Sequence, residues 1–350
     1  MNSVNTKKFS FNLVLNALKD SARPFPPAYL HELSDLAGDS LQLVKDAWNQ
    51  IPLDRKIHLL EDLEEVAEND TLVCFDEIGF LAIADADPQV RVLGIRLLWE
   101  FEEARLVKPL IRLMETDPNL DVRTIAASAL AHFVYLGELE IIPAEVLDET
   151  VDHLLAVYRG KDQELVRRHA LESLGFSCRE EIGDLILAAY ESGRSEWVAS
   201  ALYAMGKSAD ERWEEEILSK IHAPEPEIQL EAIRAAGELG LESTREMFLD
   251  MLQETISDAE LRYALIWSLS QIGGEDVQET LESLLEEVED EDEQELIENA
   301  LDNLAFNVGA EGFGLFDFAS PEDESAVDEG DDLSEDDEDK DEDEENEKEM

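Results

Sequence analysis

Closely spaced histidines, cysteine pairs and long apolar runs are missing from this chain of 350 residues. No two of its six histidines lie three or four residues apart, and its two cysteines, Cys74 and Cys178, stand far apart in apolar sequence. Metal sites usually need ligands at such short spacings, so we predict no metal, no cofactor and two free thiols. No apolar run approaches the roughly 18–20 residues of a membrane span. Free thiols favour a reducing compartment, so we expect a cytoplasmic protein, and we expect it not to bind a membrane.

Catalytic motifs are also missing. Gly206-Lys207-Ser208 follows a predicted helix instead of opening one, so it is no phosphate-binding loop, and the chain has no Gly-x-Ser-x-Gly nucleophile elbow. Carboxylates are so numerous that a pair of them does not single out an acid–base site. We expect no enzymatic activity and name no catalytic residue.

Basic residues are few, with 27 Lys and Arg against 86 Asp and Glu and a formal net charge of −59. Residues 322–350 alone hold 19 acids and two lysines, so we predict that the tail 320–350 is disordered, because it cannot collapse against its own charge. Such charge repels nucleic acids and anionic lipids and favours a basic protein partner. The same charge also improves solubility, which is the simpler interpretation.

Alternation typical of strands is missing as well, and apolar residues recur with a helical period instead. The predicted fold is therefore all-α. Residues 1–52 are predicted to form a helical leader or cap, in which the proline-rich stretch 23–27 stops the first helix. Asp87-Pro88 and Asp117-Pro118 are predicted to start helices as N-cap and first-turn proline.

One helical pattern recurs along the chain, and Val122, Ala126 and Leu130 are its best example. Apolar or small residues at positions 0, +4 and +8 share one helix face, and we call the helices that carry them marked helices. The first position is occupied by Val90, Val122, Val166, Trp197, Ile228, Leu261 and Leu296. A two-helix unit that recurs in this way buries its apolar face only by stacking on its neighbours. Glycines near the predicted helix ends are expected to form left-handed caps: Gly175, Gly206, Gly237, Gly240 and Gly273.

The motifs Asp87-Pro-Gln-Val-Arg91, Asp121-Val-Arg123 and Leu165-Val-Arg167, each followed by the small and apolar pattern, resemble the HEAT-repeat family, including its PBS-lyase-like branch. The resemblance implies a right-handed α-solenoid of HEAT-like helix pairs over residues 53–306, with the Val-Arg helix on the concave side. Other residues replace the arginine at Val198, Gln229 and Ile297. Residues 307–319, rich in Gly and Phe, would either cap the last repeat or serve as a linear motif for a partner.

Positions +2 and +6 of the marked helices point away from the core positions and are the candidates for partner binding. In three consecutive repeats they place Tyr203, Arg234, Tyr263 and Trp267 on one groove wall, and Tyr, Trp and Arg dominate binding hot spots. The alternative is that a neighbouring helix covers these rings as core. Arg96 and Arg168 occupy equivalent positions, and the acidic tail could occupy them and Arg234 when no partner is bound.

These observations predict a non-catalytic scaffold or adaptor that binds a protein partner, basic in character, through its concave groove. Two alternatives remain open at this point. The PBS-lyase resemblance implies an enzyme that attaches or isomerises a phycobilin chromophore, although no catalytic motif transfers to this sequence. The acidic composition is also compatible with a chaperone for basic proteins such as histones or ribosomal proteins.

Overall fold

The structure is a computed structural model that describes residues 11–253 and 258–312, and it is all-helical, with no strand among those residues. Short 3-10 helices at Pro27–Tyr29, His31–Leu33, Ala104–Leu106, Glu211–Trp213 and Glu242–Thr244 link the longer elements. The α-helices are α1 Phe11–Lys19, α2 Gly38–Trp48, α3 Leu53–Asn69, α4 Asp76–Ala82, α5 Pro88–Leu97, α6 Val107–Thr116, α7 Leu120–Glu138, α8 Ala144–Arg159, α9 Glu164–Leu174, α10 Glu180–Glu191, α11 Ser195–Lys207, α12 Glu214–Leu218, α13 Pro226–Glu238, α14 Arg245–Gln253, α15 Ala259–Ile272, α16 Glu275–Glu287 and α17 Glu291–Gly312.

The helices form an α-solenoid, as the repeat predicted. The marked helices α5, α7, α9, α11, α13 and α15 pack on one another in chain order, and the alternating partner helices α6, α8, α10, α12 and α14 each pack on the next marked helix along the chain. Positions +4 and +8 are buried in every repeat, and position 0 is buried in all but the last two, where Leu261 and Leu296 are half-buried. The predicted core register is therefore confirmed.

The elements of the predicted leader share one core with the first solenoid helices. Val14 and Leu18 of α1 and Val44 of α2 belong to the same buried cluster as Leu59 of α3 and Val90 of α5. The first helix ends before the proline-rich stretch 23–27, and the chain continues there as two 3-10 turns instead of a longer helix. A second continuous cluster runs from Ile83 to Leu304.

The chain divides into two units, Met1–Leu304 and Ala305–Met350. Helix α17 extends to Gly312, so residues 307–312 of the predicted Gly/Phe segment are helical. Residues 313–319 and the acidic tail 320–350 lie outside the described residues, and both the cap and the disorder of the tail stay predictions.

Three of the predicted glycine caps have another role. Of the five predicted caps only Gly240 and Gly273 have positive φ angles, 60° and 73°, and Gly273 combines its φ with an extended ψ of −177°, so it does not have the left-handed helical conformation. At Gly175, Gly206 and Gly237 the next marked helix comes too close for a side chain. A Cβ atom on Gly175 would stand 2.6 Å from Cα of Ala204, and one on Gly206 would stand 2.9 Å from Cα of Ala235. The glycines at position +9 therefore set the short distance between stacked helices.

Helix starts follow the N-cap prediction in one case and depart from it in the other. Asp87 accepts hydrogen bonds from the backbone N–H groups of Gln89 and Val90, and Pro88 occupies the first turn, as expected. At the second site Asn119 is the N-cap and accepts from the N–H of Val122 at 3.0 Å. Asp117 is instead part of a buried ion pair, because its carboxylate lies beside a cation of the preceding repeat.

Candidate protein-binding groove

Four of the six predicted binding residues lie together. Tyr203 of α11, Arg234 of α13, and Tyr263 and Trp267 of α15 line one open pocket of about 410 Å³, which we call the groove pocket. All four side chains are partly exposed, so no neighbouring described helix covers them fully. These rings are therefore not among the fully buried core residues, and their role in partner binding stays a prediction. The rest of the lining is Gly206, Lys207, Glu231, Ala235, Glu238, Ala264 and Leu296.

The other two predicted residues lie elsewhere. Arg96 contributes to a separate depression of about 600 Å³ and pairs with Glu64, with 2.8 Å between Nε and Oε1. Arg168 donates from Nε to the hydroxyl oxygen of Ser200 at 2.9 Å and lies in neither depression. The six residues therefore do not form one site, because Arg96 and Arg168 belong to repeats that lie earlier in the stack.

Carboxylates already neutralise the arginine of the groove pocket. Arg234 donates to Glu231 at 3.0 Å and to Glu260 at 3.3 Å. Burial raises the pKa of Glu231, and the positive charge of Arg234 only partly opposes this. With its two carboxylate partners, Arg234 adds no net positive charge to the pocket, and an acidic ligand such as the tail gains little from it.

Burial and nearby carboxylates together determine the environment of Tyr203. Burial raises its pKa to about 12, and the charges of Glu172, Glu238 and Glu231 act in the same direction. Its ring also has a cation nearby, since Nζ of Lys207 lies 5.6 Å from the ring centroid and pairs with Glu238. The groove pocket thus combines an aromatic face with carboxylates, a surface that attracts cations.

Three charged residues of the groove pocket lie outside positions +2 and +6, so the sequence pattern alone does not single them out. Lys207, Glu231 and Glu238 occupy positions +10, +3 and +10 of their marked helices, which lie on the same side of a helix as +6. The repeat pattern therefore identifies these three residues as well, once positions +3 and +10 are added to the candidate binding positions.

A second pocket of about 210 Å³ lies beside the groove pocket and shares Tyr203 with it. Three more aromatic rings line it, and none of them is at position +2 or +6: Trp99, Tyr135 and Phe176. Trp99 and Phe176 lie in turns just beyond the ends of α5 and α9, where helical periodicity no longer predicts the direction in which a side chain points. Tyr135 lies at position +13 of the long helix α7, on the same side of that helix as positions +2 and +6.

Glu172 contributes negative charge to this second pocket. Burial alone would raise the pKa of Glu172, but a hydrogen bond from His169, the charge of His169, a hydrogen bond from Ser200 and the charge of Arg168 outweigh burial and lower it. The hydroxyl of Ser200 donates to Oε1 of Glu172 at 2.6 Å, and Nδ1 of His169 lies 2.9 Å from Oε2. The carboxylate is therefore ionised at neutral pH.

Metal and thiol chemistry have no assembled site in the described part of the chain. Within residues 11–253 and 258–312 no three His, Cys, Asp or Glu side chains converge as metal ligands would. Cys74 and Cys178 are free, and burial raises the pKa of both thiols, which disfavours the reactive thiolate. Over the same residues no helix has the length and apolar character needed to cross a membrane.

Comparison with known proteins places the chain in one family. A family model described as HEAT repeats matches residues 79–175 and 214–302, which is more than half of the chain. No curated protein matches the chain significantly.

Several solved structures are similar to this chain, all at low identity. The YibA protein of Escherichia coli is 15% identical, with a TM-score of 0.39 over 79% of this chain and 96% of that protein. The CpcE–CpcF complex of phycocyanin lyase from Nostoc sp. is 20% identical, with a TM-score of 0.45 over 65% of this chain and 94% of the matched chain. Human deoxyhypusine hydroxylase is 16% identical, with a TM-score of 0.35 over 85% and 96%. On the strength of the family match, this chain belongs to the HEAT-repeat family.

Proposed function

We propose that this protein is a non-catalytic scaffold whose groove pocket binds a basic segment of a protein partner. The observation that carries the proposal is the convergence of Tyr203, Arg234, Tyr263 and Trp267 on one open pocket. Partly exposed aromatic side chains in a depression are typical of binding hot spots, since they bury much area at low entropic cost.

The charge around the pocket supports a basic segment over an acidic or neutral one. Glu231 and Glu238 line the pocket, and Glu172 and Glu260 lie close enough to act on Tyr203 or Arg234. Lys207 pairs with Glu238, Arg234 is shared between Glu231 and Glu260, and Arg168 acts on Glu172, so four carboxylates face three fixed cations. Opposite charges on a partner would be drawn to this surface, and the net charge of −59 would speed its encounter with a basic protein.

The proposal is tested by comparing the proteins that the wild type and its Trp267→Ala variant capture from extracts of the native host. We expect the wild type to enrich basic proteins and Trp267→Ala to lose them, because alanine removes the largest ring of the pocket. The direct measurement is then the Kd of each captured protein for both forms, with a loss of at least about tenfold expected for a hot-spot residue.

Tyr190→Ala is the matched control. Tyr190 is also a half-buried aromatic residue, but it belongs to the partner helix α10 and lines neither pocket. Thermal unfolding of both variants is measured first, to show that a loss of capture is not caused by a loss of the folded structure. If Trp267→Ala captures the same proteins in the same amounts as Tyr190→Ala, the groove pocket is not the binding site.

A further inference from the structure

The second pocket, next to the groove pocket, is lined by an unusual concentration of aromatic rings. Trp99, Tyr135, Phe176 and Tyr203 come from four consecutive repeats, and we call them the aromatic cage. Trp99 and Tyr135 are 45% and 47% exposed, although both are large enough to contribute much to a core. Tyr135 and Phe176 meet edge to face with 6.1 Å between ring centroids. Packing of the solenoid thus leaves two large rings open to a ligand.

A cation of the chain already lies near the other two rings. Nζ of Lys207 is 5.8 Å from the centroid of Phe176 and 5.6 Å from that of Tyr203. Among the cation–ring contacts of the described residues none involves Trp99 or Tyr135, so these two rings have no cation of their own. Tryptophan is the aromatic residue with the strongest attraction for a cation.

Two polar groups of the same pocket, the carboxylate of Glu172 and the imidazole of His132 with its proton on Nδ1, can accept hydrogen bonds from a cation. Glu172 is ionised, and a carboxylate has about four lone-pair positions, of which His169 and Ser200 use two. Nε2 of His132 is buried and has no hydrogen-bond partner among the described residues. A buried nitrogen without a partner is costly, and a donor that enters the pocket would relieve that cost.

We propose that the aromatic cage holds a lysine side chain of the partner segment, with the ammonium group between Trp99 and Tyr135 and within reach of Glu172 and His132. This inference rests on the proposed function and makes it more specific, since it assigns a residue type to the basic segment. The pocket volume of about 210 Å³ suits one side chain and not a folded element. Lysine fits better than a quaternary ammonium group because its three N–H donors match the carboxylate and the imidazole nitrogen.

The test uses the full chain and fluorescently labelled Gly-Ser peptides that carry evenly spaced lysines. Companion peptides carry norleucine, which lacks the charge, or trimethyllysine, which keeps the charge and lacks the donors. We expect fluorescence anisotropy to give the tightest Kd for the lysine peptide. The trimethyllysine peptide should bind more weakly, and the norleucine peptide should bind at least about tenfold more weakly, the size of one good cation–π contact.

Variants of the cage separate this site from general attraction to an acidic protein. Trp99→Leu and Tyr135→Leu leave the net charge unchanged and should each weaken the lysine peptide about tenfold, while Tyr135→Phe, which keeps the ring, should not. Both leucine variants replace half-exposed side chains, and thermal unfolding checks that they fold. Unchanged affinity in Trp99→Leu and Tyr135→Leu would overturn the proposal, and so would trimethyllysine binding as tightly as lysine or no detectable binding of the lysine peptide.

The two proposals fail in distinguishable ways. If the groove pocket binds no partner but the cage binds lysine, the leucine variants weaken the peptide and Trp267→Ala leaves partner capture unchanged. If the cage is wrong and the groove pocket is right, Trp267→Ala loses the partner while Trp99→Leu binds the lysine peptide as the wild type does.

Discussion

Arg91 and Asp117 form a bidentate ion pair between consecutive repeats. Nε and Nη2 of Arg91 each donate to one carboxylate oxygen of Asp117 at 2.8 Å, and both residues are 8% exposed. Arg91 also donates to the backbone oxygens of Asp85 and Ala86, so its donors are largely satisfied. The motif arginine thus fixes the turn before the next marked helix. Arg123 repeats the arrangement with Asp162, at 3.0 and 2.9 Å.

Replacement of Asp117 by alanine should destabilise the protein by about 3–5 kcal/mol, because it leaves the guanidinium of Arg91 buried without its counter-charge. Urea unfolding followed by circular dichroism measures the loss. Glu64→Ala is the control, since it breaks the exposed pair with Arg96 and should cost no more than about 1 kcal/mol. Equal losses in the two variants would contradict a structural role of the buried pair.

Close packing at Gly175 predicts a second stability effect. Alanine there would place its Cβ 2.6 Å from Cα of Ala204, so the stacked helices α9 and α11 would have to separate. We expect Gly175→Ala to lower the free energy of unfolding by about 1–3 kcal/mol, although alanine is the better helix former.

Gly193→Ala is the matched control for Gly175→Ala. At Gly193 nothing lies within 4 Å of the added atom, and only a φ of 66° opposes the substitution. Gly193→Ala should lower the free energy of unfolding by roughly 1–2 kcal/mol, the cost of holding one residue other than glycine in a left-handed conformation. The atoms nearest to the added Cβ are Cα and the backbone oxygen of Ala204, so the diagnostic is the size of the new side chain. Gly175→Leu should cost clearly more than Gly175→Ala, whereas equal costs would show that helix separation is not the cause.

Much of the fold was predictable because one physical rule repeats along the chain. Burial at positions 0, +4 and +8 recurs whenever helix pairs stack, so Val122, Ala126 and Leu130 identified both the element and its core face. The roles of Gly175 and Asp117 were not predictable in the same way. A glycine near a helix end and an aspartate before a proline both match capping patterns, and only the approach of the neighbouring repeat selects close packing and ion pairing instead.

The binding surface was predictable to a smaller extent. Tyr203, Arg234, Tyr263 and Trp267 followed from the helix register, since residues opposite the core face share one side of the stack. Trp99 was not predictable, because it lies in a turn where the register no longer applies.

The interval from Val122 to Val166 is 44 residues, against 31 to 35 between the other first positions, and these extra residues show why Tyr135 was not singled out from the sequence. Additional residues in a solenoid usually lengthen a loop. Here α7 and α8 are instead long helices of 19 and 16 residues, and Tyr135 near the end of α7 reaches the aromatic cage.

The pKa of Tyr203 predicts a stability change at high pH. It is raised to about 12, above the value of about 10 of an unfolded chain. The tyrosine contribution is therefore fully present below pH 10 and is lost as the pH rises toward 12, because the unfolded state releases its proton first. Tyr203→Phe cannot ionise and should lose less stability over this window than the wild type. Urea unfolding of both proteins at about pH 9 and pH 11 measures this difference. If the wild type and Tyr203→Phe lost the same free energy of unfolding between these pH values, the pKa of Tyr203 would not be raised in the folded protein.

Removal of residues 320–350 tests how the acidic tail affects the proposed binding of a basic partner. The deleted segment contains 19 of the 86 acidic residues, so we expect slower association at low salt and little change at high salt, where exposed charges are screened. The alternative is that the tail covers Arg96, Arg168 and Arg234, which already contact Glu64, Ser200 and Glu231, respectively. If the tail inhibits binding in this way, its deletion would give tighter binding. Stopped-flow association of the full and shortened chains with a captured partner, at low and high salt, distinguishes the two. A shortened chain that binds faster at low salt would favour autoinhibition, and equal rates at all salt concentrations would leave the tail without a role in binding.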